Sequence, residues 1–125
     1  MPFPLKTLTK LALAVVLMTP ATAVHAHPAL IDTSPKADSI IAASPSMIQL
    51  SFSEELIAKF SGIDLKDQAG KRVETGPAAT APKNKKQLTI PVITSLTPGT
   101  YTVEWHAVSE DTHRVKGSYS FKISQ

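Results

Sequence analysis

From Met47 onward the chain alternates apolar and polar side chains with a period of two. Ile48, Leu50 and Phe52 alternate with Gln49, Ser51 and Ser53, Ile63 and Leu65 with Asp64 and Lys66, and Leu88 and Ile90 with Gln87 and Thr89. Tyr101, Val103, Trp105 and Ala107 alternate with Thr102, Glu104 and His106, and Tyr119, Phe121 and Ile123 repeat the pattern near the end. Successive side chains of a strand point to opposite faces, so this pattern predicts strands with one face buried. Ser34-Pro35, Ser44-Pro45, Asp67-Gln-Ala-Gly70, Gly76-Pro77 and Thr97-Pro-Gly99 supply turns between them. Glu54 to Phe60 suits a single helical turn, and Gly76 to Lys86 reads as a loop without regular structure. The whole predicts an all-β domain, a Greek-key β-sandwich of about seven strands. Trp105 shares the parity of Tyr101 and Val103 and is assigned to the core. His106 has the opposite parity and is assigned to the surface.

The first 26 residues follow a different rule. Lys6 and Lys10 precede the unbroken apolar run Leu11-Ala-Leu-Ala-Val-Val-Leu-Met18, and small residues follow. That order is the n-region, h-region and cleavage site of a secretory signal peptide. The run is shorter than the ~20 residues of a membrane span, so a cleaved leader rather than a retained anchor is expected. Cleavage after Ala26 makes His27 the first residue of the mature chain. Cleavage after Ala23 fits the same small-residue rule, and cleavage after Val24 would leave His25-Ala26-His27. The expected organisation is therefore a signal peptide at 1–26 and one β-domain at 27–125, exported and without a membrane span.

Composition narrows the chemistry. A chain of 125 residues with a net charge of +3 loses two of those charges with Lys6 and Lys10. Lys83-Asn84-Lys85-Lys86 is the only basic cluster and has no interleaved aromatic, so nucleic acid is not an expected partner. The chain has no cysteine. Disulfides, thiol catalysis and thiolate ligation of a metal are thereby excluded.

Histidine and carboxylate remain. Past the cleavage point the histidines are His27, His106 and His113. Asp111 and His113 are two residues apart and, in extended backbone, project to one side with Cα atoms roughly 6.6 Å apart. That spacing lets a carboxylate and an imidazole grip one ion, although an Asp-x-His pair also suits a solvated turn. The amine and imidazole of a mature N-terminal His27 bring the set to three nitrogens and one oxygen. Such donors suit Cu(II), and without thiolate also admit Ni(II) or Zn(II). Pro28 has no amide proton for a metal to displace, which leaves the His27 amine and ring as the natural chelate.

Six blocks occur in order: His27-Pro-Ala-Leu, Ser34-Pro35, Leu50-Ser-Phe-Ser-Glu-Glu-Leu56, Leu96-Thr-Pro-Gly-Thr-Tyr-Thr-Val-Glu-Trp105, Ser109-Glu-Asp-Thr-His113 and Gly117-Ser-Tyr-Ser-Phe121. Together they resemble the CopC family of periplasmic copper-binding proteins across residues 27 to 125. The resemblance implies a seven-stranded cupredoxin-like or Ig-like sandwich and a mature chain that starts at His27. It implies one Cu(II) ion held by His27, Asp111 and His113. Glu54 would stand nearby as a further ligand or as an acceptor for the amine, orienting the donors. It also implies buffering of copper or its delivery to an inner-membrane CopD-type partner.

Two departures from the family pattern matter. Some relatives carry a methionine-rich Cu(I) site, whereas Met47 is the only methionine beyond the leader here, so no Cu(I) site is expected. His106 stands where relatives usually have arginine. A copper-dependent oxidative enzyme of the lytic polysaccharide monooxygenase type is an alternative, since those enzymes also use an N-terminal histidine. One Trp and two Tyr leave little with which to stack sugars, so a binding protein and not an enzyme is expected. A metal-free Ig-like structural domain would leave the histidines without a role.

Overall fold

The computed structural model describes residues 14–16 and 27–125. The leader and its cleavage point after Ala26 lie outside the described residues. Among the described residues no helix is long and apolar enough to cross a membrane.

Among the described residues nine strands form two sheets. They are β1 (Leu30–Ser34), β2 (Ile40–Ile41), β3 (Met47–Phe52), β4 (Gly62–Lys66), β5 (Arg72–Val73), β6 (Ala79–Ala81), β7 (Asn84–Pro91), β8 (Gly99–Val108) and β9 (Arg114–Ile123), with one 3-10 turn at Ala58–Phe60. One sheet has the order β1-β3-β7-β6 and the other β2-β9-β8-β4-β5. All neighbours are antiparallel except the short pair β2 and β9. The all-β sandwich expected from the alternation is present. The count exceeds about seven because several strands are very short: β2 and β5 have two residues each and β6 has three.

The apolar parity places the core. Ile48, Leu50, Phe52, Leu88 and Ile90 project from the first sheet onto Ile63, Leu65, Tyr101, Val103, Phe121 and Ile123 of the second, all buried. Each fully buried side chain of this size contributes roughly 1.5–3 kcal/mol. Trp105 joins them partly buried, edge-on to Phe52 with ring centroids 5.2 Å apart. Its indole lies over Gly117, its cross-strand partner, where an added Cβ would come within 2.6 Å of the ring. His106 is exposed on the outer face, with its ring across Gly62.

One segment departs from its expected form. Gly76 to Lys86 is not a structureless loop, because Ala79–Ala81 and Asn84 onward make a β-hairpin turning at Pro82-Lys83. The side chains of 83–86 are all exposed, so no apolar alternation marks the hairpin. Backbone pairing to β3 through β7 supplies what the pattern lacks.

Candidate metal centre

Three segments meet at one pole of the sandwich. The N-terminal segment is fastened first. Pro28 is fully buried. Beyond the pairing of Leu30 with Phe52, Ser53 N–H donates to the Ala29 carbonyl at 2.9 Å, and Ala29 N–H donates to Ser53 Oγ at 2.8 Å. The chain is therefore fixed two residues from His27, which is itself exposed.

The second segment follows β3. The Glu55-to-Ser61 stretch folds along the end of β8. Ile57 N–H donates to the Val108 carbonyl at 2.8 Å, Glu110 N–H to the Glu55 carbonyl at 3.1 Å, and Val108 N–H to Ser61 Oγ at 3.0 Å. An isolated bridge joins Leu56 to Ser109. This cover explains why alternation fails there: Ala107, Val108 and Ser109 are all buried in succession.

The third segment is the hairpin loop from β8 to β9. Thr112 N–H donates to the Ser109 carbonyl at 2.8 Å, and Ser109 N–H donates to the His113 carbonyl at 3.0 Å. Thr112 takes φ +70°, a left-handed conformation that is costly for a β-branched residue and is found where a loop is held by its surroundings. Asp111 and His113 thus lie in a turn, not in the extended backbone their spacing suggested. The turn nonetheless brings them together, with His113 Nδ1 3.0 Å from Asp111 Oδ2. Ser109 Oγ donates to the other carboxylate oxygen, Oδ1. These two hydrogen bonds, Ser109 first, hold the Asp111 carboxyl below the ordinary carboxylate range against a smaller opposing effect of desolvation.

His27 reaches this pair across the pole. Its ring meets that of His113 edge-on, with centroids 4.8 Å apart. Glu54 is half-buried and shares with Asp111 an open cleft of about 420 Å³, also lined by Glu55, Lys86, Ser109 and Glu110. Lys85 lies 3.7 Å from Glu110 at its rim. The structure therefore gathers His27, Asp111 and His113 at one pole, with Glu54 on the adjoining cleft.

As they stand, no three His, Asp or Glu side chains among the described residues form a ready cage for an ion. Asp111 and His113 meet through Oδ2 and Nδ1. In the uncut chain the His27 nitrogen is also an amide. The donor chemistry nevertheless fits a borderline divalent ion, with two adjacent imidazoles and a carboxylate already bonded to one of them. Ser53 and Ser109 have no mark in the apolar pattern. Their only sequence signal is adjacency, Ser53 preceding Glu54 and Ser109 preceding Asp111 by two.

Comparison with known proteins gives the same direction. The CopC domain family matches residues 30–124. Protein YobA of Escherichia coli (strain K12) is 41% identical over 107 residues, 86% of this chain and 85% of that protein. The crystal structure of CopC from Methylosinus trichosporium OB3b superposes with a TM-score of 0.73 at 33% identity, covering 78% of this chain and 94% of that one. PcoC, a methionine rich copper resistance protein from Escherichia coli, superposes at 0.70 with 40% identity, covering 79% of this chain and all of that one. The copper transport protein CutJ of Bacillus subtilis (strain 168) is 29% identical over 100 residues, 80% of this chain but 18% of that longer protein.

Proposed function

Because the chain belongs to the CopC family, whose members are copper-binding resistance proteins and not enzymes, we propose that it holds one Cu(II) ion at the pole that carries His27. The signal peptide is removed after Ala26 in the course of export to the periplasm. His27 then contributes its new amine and its imidazole, and Asp111 and His113 complete the set. Glu54, across the cleft, accepts from the amine or adds a ligand. The observation that carries this reading is the contact of His27 with His113, whose ring is already bonded to Asp111.

Copper is cargo here, taken up in conditions of excess and buffered or passed on. The match to a short part of a copper transport protein supports delivery, since in that chain the same domain is covalently tied to a much larger remainder. The partner that would receive the copper is an inner-membrane protein of the CopD type. No separate site for Cu(I) is proposed. Met47 lies at the start of β3, and the pole adjoins that strand's far end, so a thioether cluster like that of a methionine-rich relative has no counterpart.

Titration of the mature chain with Cu(II) tests the reading. Saturation at one equivalent is expected, and His113→Ala or Asp111→Ala should each weaken binding on the order of 100-fold or more, as loss of a ligand exceeds the 10–100-fold cost of losing a ligand's supporting group. Undiminished affinity in both variants would rule the site out. Imidazole and amine must shed their protons to bind, so affinity should fall on acidification.

A further inference from the structure

Ser109 is the most firmly held polar side chain at the pole. It is 1% exposed, whereas the Asp111 side chain is 51% exposed. Its amide, its carbonyl and its bridge to Leu56 are all engaged. The hydroxyl proton goes to Asp111 Oδ1, and the His113 carbonyl, 3.4 Å from Oγ, is a more distant second acceptor. An immobile buried donor therefore holds a carboxylate that would otherwise swing in solvent.

Resting on the copper reading above, we propose that Ser109 is the positioning residue of the site: its hydroxyl occupies Oδ1 of Asp111, so that the carboxylate is pre-aimed and offers the imidazoles a single oxygen, Oδ2. The physical advantage is preorganisation. A side chain already held by a buried donor loses less freedom when an ion arrives.

A double-mutant cycle with Cu(II) as the probe, read by competition against a chelator, tests the proposal. Ser109→Ala in the mature chain should weaken Cu(II) by 10–100-fold, the usual effect of removing a ligand's supporting hydrogen bond. The same change made on top of Asp111→Ala should cost no more than about threefold, because the group through which Ser109 acts is already gone. The Cu(II) electron paramagnetic resonance spectrum should change in Ser109→Ala and not between Asp111→Ala and the double variant. An equal loss in both backgrounds, or no loss in either, overturns the proposal. If Ser109→Ala does not fold, Ser109→Thr carries the test: retention of affinity within about threefold supports it, and a folded Thr variant as weak as Asp111→Ala overturns it. Should Asp111→Ala itself leave affinity unchanged, Asp111 is not a ligand and the proposal falls, whereas the copper site falls only if His113→Ala is equally without effect. Loss in Asp111→Ala without loss in Ser109→Ala removes Ser109 alone.

Discussion

The space between the two sheets and the pole at His27 are held by different means. The interior is apolar and closed: Ile48, Leu50, Phe52, Leu65, Leu88 and Val103 are fully buried, and strand pairing satisfies the backbone around them. At the pole His27 and Asp111 are exposed and His113 is partly so, and order comes from short-range hydrogen bonds made by Ser53, Ser61 and Ser109. The interior supplies stability that does not depend on protonation, because its side chains carry no titrating carboxyl or imidazole. The pole supplies polar donors whose arrangement depends on protons and, in the proposal above, on an ion. Separating the two lets a small domain present donors to solvent without weakening its core.

The comparison breaks if damage in one region is felt in the other. The largest effect belongs to the interior. Leu50→Ala removes a fully buried side chain and should destabilise by about 2–5 kcal/mol in urea unfolding, while the folded fraction keeps its Cu(II) affinity. Altered affinity in the folded molecule would show that core and pole are coupled. Gly117→Ala comes next. Its Cβ would sit 2.6 Å from the Trp105 ring, and overpacking of this kind costs about 1–3 kcal/mol. A stability equal to that of the parent would mean the indole can yield.

Smaller effects belong to the pole. Ser53→Ala leaves Ala29 N–H without its acceptor and should cost about 1 kcal/mol, together with faster amide exchange at Ala29. Unchanged exchange there would show that the hydroxyl does not hold the N-terminal segment. The Asp111 carboxyl is held below its ordinary value of 3.8, so the hydrogen bonds it makes as a carboxylate contribute fully above pH 3.8. They are lost as the pH falls through the lower, folded-state value. Carboxyl-detected NMR titration of the metal-free protein should find its midpoint below 3.8, and Ser109→Ala should move it upward. A midpoint at or above 3.8 would contradict the bonding described.

The same division explains what was legible in the amino-acid pattern. Alternation marks β3, β4, β8 and β9, because apolar burial on one face leaves a period of two in the residues. It leaves no trace for β5 and β6, edge strands whose side chains are exposed or half-buried and whose place is set by backbone pairing. His27, Asp111 and His113 were candidates by donor type and Glu54 by family resemblance; the structure brings the first three to one pole, with Glu54 on the adjoining cleft. Their actual geometry was not. A turn with Thr112 in the left-handed region brings Asp111 to His113, where the residue spacing had suggested extended backbone. Ser109 and Ser53 act through hydroxyl hydrogen bonds, which no periodicity encodes. Trp105 followed its parity into the core and His106 followed its own to the surface.

The central claim is that His27 binds through an amine that exists only once the leader is gone. Blocking that amine by acetylation in a chain of residues 27–125 leaves every side chain in place and removes one donor. The unblocked chain is predicted to take up one equivalent of Cu(II) with an affinity at least about 100-fold above that of the acetylated chain. Equal affinity in the two chains would contradict the claim.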